Sequence, residues 1–251
     1  LAQTWQLYAE AAMFALEKIY TIAPSFRAEQ SKTSRHLTEY WHTEVEVAWF
    51  NLYQLMDLAE GLIKYILEKV LKENKEELKI LERDVKKLES SLKNRFPRLT
   101  YTEVVENLKK QKFAIEWGKD LRTIEEEKFM QSYDTPVFVT HYPKDIMAFY
   151  KPRDPKNPKV AVCFDLLAPE GHGEIIGGSE RDMSLDELTK TLKKKGEKIK
   201  DYEYYLDTRK YGSIPHGGFG MGTDRLVKWI CGLDNIKDAI AFPRTMVRSK
   251  P

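Results

Sequence analysis

Several groups of residues have types and spacings that could do chemistry. One is Phe26-Arg27-Ala28-Glu29, followed by Arg35-His36-Leu37-Thr38-Glu39-Tyr40. On a strand, Arg27 and Glu29 point the same way. An isolated Arg and Glu so placed can simply pair with each other. Glu44 and Glu46 change the weighing, because they face away from Val45 and Val47 on an alternating strand. One sheet face therefore gathers charge instead of apolar side chains. A sheet with helices on its other side can leave such a face open as a site.

A second group is Gly217-Gly218-Phe219-Gly220-Met221-Gly222, with Arg225 one turn into the following helix. Glycine inside a strand often marks the close approach of another group to the backbone. A flat adenine ring lying on bare backbone needs that; a tight barrel corner would use it too. A dinucleotide turn does not fit, since no βαβ unit surrounds the motif. Asp165 and Glu174 form a third group, on neighbouring strands joined by a Gly-containing turn. Two carboxylates within reach repel unless a cation sits between them. Oxygen ligands alone favour Mg²⁺ shared with a nucleotide's phosphates. A salt bridge from one acid to Lys or Arg accounts for the pair equally well, and both readings stay open.

In Gly177-Gly178-Ser179-Glu180-Arg181, an Arg beside two glycines suits a bidentate grip on a small carboxylate or amide. A surface turn with a solvated Arg is the plainer alternative. Among the histidines, His36 sits in the polar loop and His42 on the acid-bearing strand face, while His141 and His216 read as structural. No HExxH or similar metal pattern occurs.

These residues need elements to hold them. Leu7, Ala11, Phe14 and Ile19 recur at roughly helical spacing, which predicts a helix over 1–20. Ser25 to Glu29 reads as a short extended segment. Trp41, Thr43, Val45, Val47 and Trp49 share one face of a strand, and His42, Glu44, Glu46 and Ala48 the other. The two strands make an antiparallel hairpin. Residues 51–95 read as helical and rich in Lys and Glu. Leu78, Leu81, Val85, Leu88 and Leu92 could form a coiled coil, but packing as a pair of helices on their own domain is the favoured reading. Phe96-Pro97-Arg98 breaks the run. Residues 100–120 read as a small helix and a loop, so 51–130 is a helical, insertion-like segment. Strands are predicted at 136–140, 147–150, 160–167 and 174–178, helix at 184–211, and a Gly-rich strand running into a helix at 223–231. The sum is an antiparallel sheet flanked by helices, the α+β class.

The chain has 251 residues, 42% apolar, 32% charged, with a formal net charge of +2. A whole-chain basic bias towards nucleic acid is absent, so any such contact must come from a local patch. Cys163 and Cys231 lie far apart and suit a reducing compartment. No apolar run approaches the roughly 20 residues a membrane helix needs, and Leu1 to Tyr20 lacks the basic start and cleavage site of a signal peptide. A start at Leu rather than Met reads as a fragment.

Together the residues resemble the class II aminoacyl-tRNA synthetases. Phe26-Arg27-Ala28-Glu29 with the loop to Tyr40 is similar to the family's second signature motif, and Gly218 to Arg225 to its third. Leu1 to Tyr8, Arg35 to Tyr40 and Ile236 to Arg244 resemble the aspartate/asparagine/lysine branch. Within it, aspartyl enzymes place a Lys where this chain has Ala9. A buried Lys facing a neutral amide would be an uncompensated charge. Ala9 and the run Gly171 to Ser179 resemble the asparaginyl enzymes instead.

The resemblance implies a homodimeric cytoplasmic ligase that uses ATP and Mg²⁺ to activate L-asparagine and transfers it to tRNA(Asn). Residues 1–251 would be its catalytic domain, with the family's first motif and its anticodon-binding barrel expected before Leu1. Carried over residue by residue, Arg27 should hold the α-phosphate and the amino acid's carboxylate. Glu29 should accept from the adenine amino group, and Tyr40 and Arg225 should sandwich the ring over the strand ending at Gly222. Arg35 and His36 should reach the outer phosphates. Asp165 and Glu174 should hold Mg²⁺, with Ser179 near them. Gln6 and Glu44 should take the substrate's ammonium, and Arg181 its side-chain amide oxygen. Arg27 and Arg225 are the catalytic candidates. The alternatives are a paralogue that amidates aspartate with ammonia through an adenylate without tRNA, and an inactive paralogue kept as a binding module.

Overall fold

The computed structural model describes residues 1–28 and 34–250, so the expected role of Glu29 lies outside the described residues. A seven-stranded sheet runs through the molecule in the order β1-β2-β7-β6-β5-β4-β3. Its strands are β1 (Lys18–Phe26), β2 (Glu39–Ala48), β3 (Arg98–Thr100), β4 (Val137–Thr140), β5 (Cys163–Ala168), β6 (Gly173–Glu180) and β7 (His216–Gly222). Every neighbouring pair is antiparallel except β3 with β4. This is the expected α+β architecture.

One face of the sheet carries the main core. The helix α2 (Leu52–Glu73) crosses it, joined by α3 (Lys75–Ile80), α4 (Val85–Lys93) and α9 (Thr223–Cys231). Leu55, Ile63, Phe164, Ile176, Phe219 and Trp229 pack there with almost no exposure. The start of α2 is locally encoded: Asn51 accepts from the Gln54 amide and Gln54 returns the bond. Leu78 and Leu88 turn inward beneath α2, so residues 75–93 are the packed helix pair and not a coiled coil.

The opposite face is divided. Over β4 and β5 it is covered by α5 (Tyr101–Lys110) and α6 (Thr123–Met130), whose Val104, Leu108 and Phe129 pack on Val137, Val139 and Leu167. A third cluster joins α7 (Leu185–Lys194) to α8 (Glu203–Lys210) through Leu188, Leu192 and Tyr205. Between these two covers, β2, β7 and β6 are left open.

Three expectations are corrected. The first helix, α1, spans only Gln6–Leu16, because Glu17 turns the chain with a φ of 61° and β1 pairs with β2 from Lys18 to Phe26. Its buried face is Gln6, Ala9, Glu10 and Met13, not the stripe through Leu7 and Ala11. Residues 147–150 form a bend and turn instead of a strand. The helical stretch 184–211 is two helices, interrupted at Gly196, whose φ of +76° favours glycine.

Candidate active site

The open stretch of sheet is the floor of a cavity of about 310 Å³, within the range typical of small-molecule sites. The strand alternation read in β2 sets its floor: Tyr40, His42, Glu44 and Glu46 all line it. Glu44 faces Gly220 across the register and Glu46 faces Gly218. The glycines of β7 make room for these neighbours. A Cβ at Gly220 would sit 2.4 Å from the His42 Nε2, and one at Gly218 2.0 Å from the Val45 carbonyl and 2.5 Å from the Glu46 carboxylate. Bareness here therefore serves protein side chains as well as any ring laid over them.

At one end the charges are loosely paired. Arg27 and Tyr40 line the cavity, with the guanidinium 5.4 Å from the ring centroid. Arg225 lines it from α9 and donates to the Glu174 carbonyl at 3.0 Å and carboxylate at 3.3 Å. Asp165 and Glu174 converge on one spot, since a Cβ at Gly177 would lie 3.3 Å from Asp165 Oδ1 and 2.9 Å from Glu174 Oε1. Burial, with the repulsion of Glu174 next, pushes the Asp165 carboxyl up to about 8. Glu174 moves the other way: burial opposes its charge, but Arg225, Lys151 and Arg27 outweigh it. The salt-bridge reading holds for one of the two acids. Glu174 has its salt bridge to Arg225, while Asp165 has none among the described residues. An acid pair so strained fits a cation. Two carboxylates suit Mg²⁺ carrying its own water and phosphate ligands, and no group of three potential ligands occurs among the described residues.

Ser179 is not part of that pair. It lies opposite Cys163, two residues along from the Asp165–Gly177 register pair, and its hydroxyl accepts from Arg181 at 2.7 Å. The residue that faces the two acids is Gly177. Arg35 lines the cavity and is ion-paired with Glu126 of α6 at 2.5 Å; His36 lines it beside Arg35.

At the other end the charges are tightly paired. Arg181 donates to both oxygens of Glu46, through Nε at 3.2 Å and through Nη2, and its guanidinium lies over the Tyr150 ring. Burial raises the Glu46 carboxyl to about 7, with Arg181 opposing and Glu10 reinforcing the shift. Glu44 accepts from the Trp5 amide at 2.8 Å and from the Thr4 hydroxyl. Gln6 gives its amide to Glu10 at 3.0 Å.

Of the residues expected from sequence, Gln6, Arg27, Arg35, His36, Tyr40, Glu44, Asp165, Glu174, Arg181, Gly222 and Arg225 line this single cavity. Tyr150, Lys151 and Glu46 line it as well. A strand over 147–150 hides the role of Tyr150, and nothing in the sequence around Lys151 marks it; the turn that replaces the strand brings both to the cavity. Glu46 was seen on the acid face but given no role.

The family model for tRNA synthetases class II (D, K and N) matches residues 1–246. The asparagine–tRNA ligase of Thermoplasma acidophilum is 49% identical over 251 residues, and that of Pyrococcus abyssi 48% over 254. Each match covers all of this chain and 58% of the relative, so the chain spans somewhat over half the length of these relatives. Among solved structures, asparaginyl-tRNA synthetase from Pyrococcus horikoshii complexed with asparaginyl-adenylate superposes with a TM-score of 0.98 at 46% identity. It covers 100% of this chain and 58% of that one.

Proposed function

This chain belongs to the class II tRNA synthetases of the D, K and N group, and from that premise we propose that it activates L-asparagine with ATP and passes it to tRNA(Asn). The observation that carries this reading is the polarity of the cavity. Arg27, Arg225 and an acid pair stand at one end, and a self-neutralised Glu46–Arg181 pair at the other. The crystallised relative with bound asparaginyl-adenylate supports the same assignment.

The amino acid's carboxylate is already ionised at neutral pH, so attack on the α-phosphorus needs no general base. It needs alignment and charge neutralisation. In this reading Arg27 bridges the carboxylate and the α-phosphate. Arg225 and Tyr40 hold the adenine from its two faces. As the new carboxyl–phosphorus bond forms, the bond to the leaving pyrophosphate breaks, and Arg35 and His36 receive its charge. Asp165 and Glu174 would hold Mg²⁺, which neutralises phosphate charge when bound. The terminal ribose hydroxyl of tRNA then attacks the activated carbonyl and AMP leaves.

Selection falls to the other end. Arg181 can donate to a carboxamide oxygen while Glu46 accepts from its NH₂, and Glu44 takes the ammonium with Gln6. Ala9, 1% exposed, puts no cation there. A side-chain carboxylate would add an unpaired buried charge, which is costly.

We place the reaction in the cytoplasm, with a homodimer as the working form and residues 51–130 built into the catalytic domain, since α2 packs on the sheet and β3 extends it. No helix of the described residues is long and apolar enough to cross a membrane. The test is exchange of labelled pyrophosphate into ATP by the whole protein. Exchange that depends on asparagine, followed by charging of tRNA(Asn), is the expected result. Asparagine formation from aspartate and ammonia without tRNA would replace this reading with the amidating one.

A further inference from the structure

Glu10 has no counterpart among the residues that line the cavity, yet it is one of the most heavily bonded groups in the molecule. It is 0% exposed and sits on the buried face of α1. Its Oε1 accepts from Gln6 Nε2 at 3.0 Å and from the Tyr205 hydroxyl at 3.1 Å. Its Oε2 accepts from Arg209 Nη2 at 2.5 Å and lies 3.0 Å from His216 Nε2. Arg181 Nε stands 3.7 Å away. The donors are themselves fixed: Arg209 donates to the Asp182 carbonyl at 3.0 Å, and His216 Nδ1 lies 2.7 Å from the Ile214 carbonyl.

Two of these partners, Gln6 and Arg181, do line the cavity. An ionised carboxylate only accepts, so Gln6 must turn its NH₂ to Glu10 and its carbonyl oxygen away. Arg181 is held between Glu10, Glu46 and Ser179.

We infer that Glu10, backed by Arg209, Tyr205 and His216, is a positioning residue for amino-acid selection. It fixes the amide of Gln6 in one orientation and the guanidinium of Arg181 in one place, and so sets which side-chain chemistry the cavity accepts. The inference rests on the asparagine reading above. The charge count gives it force. Glu10 and Glu46 face Arg181 and Arg209, two carboxylates against two guanidiniums. A carboxamide leaves that balance intact, whereas a carboxylate adds a negative charge without a partner. Without the charge of Glu10, a surplus guanidinium would sit beside the substrate's side chain and favour an acid there.

A second consequence concerns pH. Glu46 is faced by Arg181 of β6, Glu10 of α1 and His216 of β7, and the charge of Glu10 is one cause of its weakened acidity. Removing that charge moves the acid limb of asparagine binding to lower pH.

The experiment compares Glu10→Gln with the parent in the whole protein, by pyrophosphate exchange with asparagine and with aspartate across pH. The expected result is a fall of about tenfold or more in the preference for asparagine over aspartate. The KM for asparagine rises more than kcat falls, as loss of a charged hydrogen-bond partner predicts. Parallel losses for both amino acids, with the preference and the pH limb unmoved, would reduce Glu10 to a structural role and overturn the inference. The parent's dependence on asparagine would then still stand. A parent that exchanges with neither amino acid would overturn the reading itself, and the inference with it. Should Glu10→Gln fail to fold, Tyr205→Phe removes one donor without changing charge. A rise of about threefold in the KM for asparagine is then expected, and an unchanged KM overturns the inference.

Discussion

The two ends of the cavity solve opposite problems. At the Arg27 end, charges are left under-paired: Asp165 has no salt bridge among the described residues, and its carboxyl is held up at about 8. At the Arg181 end the guanidiniums are matched before substrate arrives, with Arg181 on Glu46 and Arg209 on Glu10. On the proposed function, the difference follows from what each end receives. A triphosphate with its cation brings large charges of both signs, so the protein can leave its own groups waiting for them. An amide brings none, so the receiving groups must be neutral as a set. In that reading, affinity for the nucleotide is completed on binding, whereas selection of the side chain is built in beforehand.

The contrast breaks most sharply at Arg27. Arg27→Ala should lower asparagine-dependent exchange by roughly a hundred- to a thousandfold, the usual loss for a donor aimed at developing charge. It should leave the thermal midpoint nearly unmoved, because Arg27 is not part of the core. Next comes Asp165→Asn. Exchange should fall by on the order of a hundredfold, and the tightening of ATP binding by magnesium, read by calorimetry, should disappear.

At the matched end, Arg181→Lys keeps the charge but loses the fork that holds Glu46. The KM for asparagine should rise about tenfold or more while the KM for ATP stays near the parent's. Equal changes in both would deny that the two ends are separate. The clearest effect on stability belongs to Glu10. Burial works against its charge, yet the His216 hydrogen bond and the Arg209 and Arg181 charges hold its carboxyl at about 2 against an ordinary 4.5. A carboxyl lowered on folding stabilises above its unfolded value and loses that contribution as pH falls through the folded one. The parent should therefore lose stability between about 4.5 and about 2. Glu10→Gln should be less stable at neutral pH and flatter in that window, read by melting temperature against pH.

Much of the cavity floor was legible in the sequence. Alternation in β2 put His42, Glu44 and Glu46 on one face, and the Gly-rich strand with its helix placed Arg225. Glycine bareness was legible too, but not its beneficiary, since only the register sets Gly218 opposite Glu46 and Gly220 within reach of His42. Ser179 failed for the same reason. A period of two puts Ser179 on the face of Gly177 and Arg181, but only cross-strand register sets Cys163, and not Asp165, opposite it.

The buried network was missed altogether, although one signal existed. On a helix, positions 6, 9, 10 and 13 share a face, and a Gln and a Glu on the buried stripe of α1 ask for partners.

What the sequence determined by itself is the class of fold, the faces of the strands and the residue types that could meet a nucleotide, because periodicity and local backbone preference act over a few residues. Only the tertiary structure decided which charges are matched and which are left waiting. Arg209 reaches Glu10 across 199 positions of chain. Burial, which turns such a contact from a solvated pair into a fixed constraint, belongs to the packed whole and not to any one segment.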